Sequence, residues 1–474
     1  MSDVLQKAFD PESFRRKGHA MIDQLADHLS KMQSTNIPTK IYDQTDPESL
    51  YEFWKEDYAS PKGNWYMKAL EQMIHLHHPH YVGHQKAPPV PDAVLGELFG
   101  AFTDLGMGIY EQGTTGVVLE RLISEIIAAK IGYDPNSSSG FLTSGGTLGN
   151  LTALLCARAV KIKTDVWQHG YQGKQFAFMV SEEAHYSVDR AIRVMGMGAA
   201  GLIKIPVDKH YRMDTEQLSA ALKKARSENI EVIGVIANAC TTSVGSHDDL
   251  EAIGTFCEAN QLWMHVDAAH GGALLFSKKY RKYLNGIERA DSVIFDFHKM
   301  LLTPSLVTAV LFKNGQHSYQ TFAQRAAYLW DNQESGEWYN LAKRTFELTK
   351  TTMSFRVYAL LRNGGEQLFN TYLERQYDLS RSFARIIDQL EHFEMPVAAP
   401  ESNIVCFRYR PPGMSAEEVD KINIRIRETI VAEGQFFLVQ TRLKGHLYLR
   451  VTLINPFTTQ KHLRTLLDKI QALL

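Results

Sequence analysis

Cysteine is scarce: 474 residues hold only Cys156, Cys240, Cys257 and Cys406, with no Cys-x-x-Cys pair among them. That argues against a disulfide frame or a thiolate zinc site and fits reduced thiols in a cytoplasmic protein. An excess of one charge is also missing, since the formal net charge is only -2. No basic footprint is left for nucleic acid or an anionic membrane. Long apolar runs are absent as well. The longest, near 301–312, contains Pro304 and is too short to span a bilayer. The first ten residues hold no apolar signal core, and the chain shows no internal repeat or low-complexity tract. What remains is an ordinary globular composition, 44% hydrophobic and 22% charged, in a chain long enough for more than one domain.

Asp10-Pro11-Glu12 reads as an N-cap followed by proline at the first helical position. Phe14, Met21, Ile22, Leu25, Leu29 and Met32 then recur at helical spacing. Such a helix needs a cover for its apolar face, either its own chain or a partner subunit. Residues 75–91 are a histidine- and proline-rich connector, and the pattern from about 94 to 131 is helical. From 140 to 312 short apolar strands alternate with helices. Segments 176–181, 202–207, 232–237, 262–267, 292–296 and 307–312 read as strands, and 188–195, 215–227 and 249–260 as helices. This alternation predicts an α/β fold with a mostly parallel sheet covered on both faces. Residues 314–340 lose periodicity and read as a long functional loop, a candidate lid. Beyond 351, helices plus strands at 404–408 and 447–453 predict a smaller α+β C-terminal domain. The division expected is a helical, dimer-packing segment at 1–87, a large domain at 88–350 and a small one at 351–474.

Four stretches bear on chemistry. Gly140 to Asn150, with Ser144-Gly145-Gly146-Thr147 at its centre, runs into a helix. Small residues let backbone amides approach an anion, and the helix N-terminus adds positive potential, so this is a phosphate cradle or else a plain turn. It is neither a Walker loop nor a dinucleotide fingerprint. Trp263 to Gly272 is a strand ending in Asp267 followed by small residues. In a parallel sheet, ligands bind beyond such ends, though a strand-end aspartate also caps turns. Finally, Lys299 follows His298 at the close of the apolar run 292–297. Burying an unpaired ammonium is costly. A lysine that attaches covalently to a carbonyl cofactor avoids that cost, as in the binding of pyridoxal phosphate, the cofactor of carbanion chemistry at amino acids. Asp267 would then supply the anion that such a cofactor needs beside its pyridine nitrogen. His185, in Ala184-His185-Tyr186 after another strand, could stack on a planar ring or be a satisfied structural histidine.

In the order phosphate loop, histidine, aspartate, lysine, the chain resembles the group II pyridoxal-phosphate-dependent amino-acid decarboxylases. That set contains glutamate, aromatic-amino-acid and diaminobutyrate decarboxylases. Thr143–Asn150, Ala184-His185, His265–Ala269 and His298-Lys299 carry the resemblance, which runs from about His78-Pro79 to Asn455-Pro456. It implies the aspartate-aminotransferase-type fold and a homodimer with its active site at the subunit interface. It implies that Lys299 holds the cofactor, that Asp267 pairs with the pyridinium, and that Ala269 and His185 pack on the ring's two faces. Gly145, Gly146, Thr147 and His298 would hold the phosphate, with Asp296 nearby and Thr241 at the hydroxyl edge. Cys240 stands where relatives often carry glycine. Arg450 resembles the arginine that grips the substrate carboxylate. Tyr328 matches the loop tyrosine that protonates the carbanion, and a phenylalanine there favours aldehyde products.

By the same resemblance His84 and Gln112 face the substrate side chain, in the stretches Tyr81–Lys86 and Tyr110–Thr114. Both stretches are polar, which disfavours a large apolar substrate. The histidines between 75 and 84 have no carboxylate or thiolate at useful spacing, so no metal is expected. The expectation is decarboxylation of a small polar L-amino acid, acidic or diamino. The rivals are a carbon–carbon lyase, an aldehyde-forming relative and an inactive regulatory homologue.

Overall fold

Seven short segments rich in branched and aromatic residues, most of them buried on both faces, build a central sheet. They are β1 (Ser139–Thr143), β2 (Gln175–Ser181), β3 (Leu202–Ile205), β4 (Ile230–Asn238), β5 (Trp263–Asp267), β6 (Ser292–Asp296) and β7 (Thr308–Phe312). The computed structural model describes residues 3–34, 40–322 and 337–474. The strand order is β1-β7-β6-β5-β4-β2-β3. Strands β2 to β6 pair in parallel, while β7 runs antiparallel to both β6 and β1. All six expected strands occur, with their ends shifted by a few residues. Strand β1 is an addition: the sequence reading took its residues into the phosphate loop.

Helices cover both faces. Gly146–Lys161 packs across β4 to β7, and Leu250–Asn260 and Leu218–Ser227 lie on β4. The carboxyl ends of the parallel strands therefore place Asn238, Asp267 and Asp296 along one rim, which positions the site.

The outer edge of β1 is closed by side chains rather than by another strand. The Leu142 amide donates to Glu120 Oε1 at 2.8 Å, and Lys350 Nζ donates to the Leu142 carbonyl at 2.6 Å. Glu120 and Lys350 also pair with each other, both fully buried.

A second, antiparallel sheet in the order β10-β11-β9-β8 comprises β8 (Phe393–Glu394), β9 (Ile404–Tyr409), β10 (Val439–Leu443) and β11 (His446–Thr452). The connector is bound to this part of the molecule. Val82 donates to Phe437 O at 3.0 Å and accepts from the Thr452 amide at 2.8 Å.

The helix Pro11–Gln33 begins where expected, with the Asp10 carboxylate accepting from the Glu12 and Ser13 amides. Its own chain leaves most of the apolar face open: Phe14 is 58% exposed, and Met32 is the one residue of this helix that is buried. The nearby helix Pro91–Thr103 shows Leu95, Leu98, Phe99 and Phe102 to solvent, and the Phe14 and Phe102 rings meet at 5.6 Å. No helix among the described residues is long and apolar enough to cross a membrane. The stretch expected as a loop at 314–340 includes a helix, Gln316–Phe322, while Tyr328 lies outside the described residues.

Candidate active site

Beyond the carboxyl ends of β4, β5 and β6 lies a cavity of about 450 Å³. It gathers the loop Ser144–Thr147, His185, Asp267, Ala269, Asp296, His298 and Lys299, which come from four separate stretches of chain. At one end Gly145 has φ +101°, a conformation that favours glycine, and it turns β1 into the helix Gly146–Lys161. No side chain caps this helix, so its first amides face the cavity mouth ready for an anion. A Cβ on Gly146 would come within 3.3 Å of the Asp296 carboxylate, which fixes how tightly loop and rim approach.

Asp296 is 2% exposed and is held by three groups. It accepts from the Thr308 hydroxyl, lies 3.1 Å from Lys299 Nζ and lies 3.7 Å from His298 Nε2. Burial pushes its pKa up, but Lys299 and His298 outweigh burial and hold it below the ordinary carboxylate value. Lys299 is the mirror case. Burial opposes its charge, yet Asp296 and Asp267 keep its pKa above that of a free lysine. Lys299 is thus not the unpaired ammonium expected from the sequence: the Asp296 carboxylate is its partner. His298 is fixed by Val307, whose carbonyl oxygen and amide lie 3.0 and 3.1 Å from its Nδ1.

Asp267 is 6% exposed. Its Oδ1 accepts from the Ala269 amide at 3.2 Å and its Oδ2 from the Asn150 amide group at 2.9 Å. His185 caps the helix Tyr186–Val194, its Nδ1 2.7 Å from Ser187 Oγ. Burial lowers its pKa, opposed by Asp267 and Asp296 and assisted by Lys299.

Four expected positions sit elsewhere. The Thr241 hydroxyl accepts from the Ser246 amide at 3.1 Å inside a turn, so Cys240 and Thr242 line the cavity in its place. Gln112 is exposed on the helix Tyr110–Ile131, outside the cavity of its own chain. His84 packs against Phe437, their rings 5.6 Å apart, and also lies off the cavity wall. Arg450 stands behind the wall, holding the carbonyls of Thr242 and Ser243. Asn150 and Arg190 do line the cavity, and the sequence reading gave neither a role. The one signal for Asn150 was its place in the first turn of the phosphate-loop helix.

A lysine, a strand-end carboxylate, an open helix N-terminus and an alanine floor in one cavity fit pyridoxal phosphate, group by group. Fold and site thus define a pyridoxal-phosphate enzyme of fold type I. The family model described as the pyridoxal-dependent decarboxylase conserved domain matches residues 69–410, and the chain belongs to that family. It is therefore a carboxy-lyase acting on an amino acid. An aromatic-L-amino-acid decarboxylase of Bacillus atrophaeus is 27% identical over 100% of this chain and 97% of its own. An L-2,4-diaminobutyrate decarboxylase of Acinetobacter baumannii is 28% identical over 87% and 85%. A cysteine sulfinic acid decarboxylase of Rattus norvegicus is 25% identical over 93% and 92%. The crystal structure of mouse CSAD in apo form superposes with a TM-score of 0.89 over 98% of this chain and 99% of its own, at 22% identity. Oryza sativa TDC with PLP and tryptamine gives 0.89 over 98% of both chains, at 18% identity. These two likenesses establish the fold.

Proposed function

We propose that this decarboxylase takes a small polar L-amino acid with an acidic side chain, and that Arg450 binds the substrate's α-carboxylate. Arg450 itself carries the reading. It is 5% exposed, and burial pushes its pKa below the ordinary arginine value. Its Nε and Nη2 donate to the Ser243 and Thr242 carbonyls at 3.1 and 2.8 Å, and no carboxylate pairs with it among the described residues. A buried cation without an anion is costly, and a substrate carboxylate entering past Thr242 would neutralise it. His84 has its pKa lowered first by burial and then by Arg450 and Arg427, two positive charges on this side of the molecule. That favours an acidic over a diamino substrate.

Bound in the cavity, pyridoxal phosphate supplies an electron sink for the pair left when carbon dioxide departs. Lys299 would hold it covalently. Gly145, Gly146, Thr147 and His298 would bind its phosphate, Asp267 would bind its ring nitrogen, and Ala269 and His185 would pack against its ring. Tyr328 would return a proton to the substrate α-carbon, with His185 as the alternative donor. The open apolar face around Phe14 and Phe102 supports a homodimer, in which Gln112 serves the partner's site. Four free, buried cysteines support a reducing compartment such as the cytoplasm.

The test is carbon dioxide release from single amino acids, aspartate, glutamate and cysteine sulfinate against 2,4-diaminobutyrate and tryptophan. Arg450→Lys should raise KM for the best substrate about tenfold, since it loses the planar fork that grips a carboxylate. A preference for tryptophan, or an unchanged KM, would overturn the reading. Tyr328→Phe should still release carbon dioxide while the amine formed per carbon dioxide falls and aldehyde appears. An unchanged ratio assigns the proton to His185.

A further inference from the structure

Behind Asp267 runs a chain of hydrogen bonds that crosses the sheet. Asn150 Nδ2 donates to Asp267 Oδ2 at 2.9 Å and lies 3.0 Å from Ser187 Oγ. Asn150 Oδ1 lies 2.9 Å from His265 Nε2. His265 Nδ1 lies 2.8 Å from Ser292 Oγ, and Trp263 Nε1 donates to that same oxygen at 2.9 Å. Asn150, His265, Ser292 and Trp263 are each at most 1% exposed, so water does not compete for these bonds. The pieces meet because β5 and β6 pair His265 with Ser292, while the first turn of the helix Gly146–Lys161 crosses above them.

The two ends fix the direction of every bond. An indole N–H can only donate, and a carboxylate can only accept. Ser292 therefore accepts from Trp263 and passes its own proton to His265 Nδ1. His265, whose pKa burial lowers to about 4 against the opposing pull of Asp267 and a bond to Ser292, is neutral and carries its one proton on Nε2. Asn150 accepts that proton and turns its amide toward Asp267. Four groups are thus polarised one way, and all point donors toward the carboxylate.

We propose that Asn150 and His265 are positioning residues, oriented from Trp263 through Ser292, which hold the Asp267 carboxylate aimed at the ring nitrogen of the cofactor. The proposal rests on the reading of Asp267 given above. The relay acts through one atom, the ring nitrogen, and this separates it from a merely structural role. A structural defect weakens the binding of any cofactor of that shape. Loss of the relay weakens only binding that uses a protonated nitrogen.

The experiment compares the affinity of cofactor-free protein for pyridoxal phosphate with its affinity for the analogue carrying C–H in place of the ring nitrogen. Binding is followed by the absorbance of the attached cofactor. Wild type should prefer pyridoxal phosphate. In His265→Phe that preference should fall about tenfold, the size of one charge-assisted hydrogen bond. Trp263→Phe removes a single N–H three bonds away from Asp267. It should lower the preference in the same direction by about twofold, and it decides the matter if His265→Phe does not fold. A preference kept intact in the variants overturns the relay alone. A wild type that binds both compounds equally overturns the role of Asp267 and the relay with it.

Discussion

His185, His265 and His298 stand among carboxylates at the rim of β5 and β6, whereas His75, His77, His78 and His80 stand mostly among one another in the connector. Burial acts alike in both places. It lowers His75, His78 and His80 to about 4, and it lowers His265 to about 4 as well. The surroundings differ. Around the connector histidines the neighbouring charges are His28, Lys31, His462 and Lys469, all of which push the same way as burial. Their partners are carbonyls and rings: His80 lies 3.0 Å from Gln435 O and stacks on Phe436 at 4.0 Å. At the rim Asp267 and Asp296 oppose burial, and the outcome is an ordered set of donors facing a cavity. Depressed titration alone therefore does not mark a site; the carboxylates across from the histidines do. Among the described residues no three potential ligands gather in metal-binding geometry, in the connector or elsewhere.

The sharpest break of this comparison is Lys299→Ala. Carbon dioxide release should drop to background; borohydride should fix the cofactor to the peptide containing Lys299 in wild type and fix none in the variant. Cofactor-free protein should also lose about 3 kcal/mol, because Asp296 keeps its burial but not its cation. Residual activity near wild type would remove Lys299 from the chemistry.

Asp267→Asn should come next. The amide cannot balance a charged ring nitrogen, and kcat should fall roughly 100- to 1000-fold while the circular dichroism spectrum is kept. A rate near wild type would show that the rim carboxylates are as passive as the connector.

The connector sets the smallest effect, on stability. Its histidines have folded pKa values below the unfolded 6.5, so the unfolded chain takes up protons that the native chain refuses. Their contribution is complete above about pH 6.5 and is lost as pH falls toward about 4. Urea melts across that window should show a flatter slope for His75→Asn/His78→Asn than for wild type, with neutral-pH activity unchanged. The flattening should be partial, since buried His265, His247 and His270 titrate the same way. An unchanged slope would place the acid sensitivity at the rim.

Much of the rim could be read in advance because each of its parts is local. Asp267 and Lys299 each follow an apolar run, and Gly145-Gly146 opens a helix within its own motif. The relay could not be read, because Asn150 is 117 residues from Asp267 and 115 from His265 and only the sheet joins them. Thr241 was misplaced by a rotation within one turn, which residue type does not report; its hydroxyl goes to Ser246 and its neighbours face the cavity. Strand β7 was found, but its antiparallel sense was not, because fully buried strands look alike in either direction. In the small sheet β8 has two residues and β10 carries polar residues at three of its five positions, too little pattern to see.

Glu120 and Lys350 bear on a different hazard, uncontrolled polymerisation. An unpaired sheet edge offers its amides and carbonyls to any passing strand, including that of a misaligned second molecule. At Leu142 both groups are already taken, the amide by a carboxylate and the carbonyl by an ammonium. The edge is blunted by a neutral pair of opposite charges, without a proline or a bulge. At this edge of the central sheet a stray strand therefore finds no free partner at Leu142.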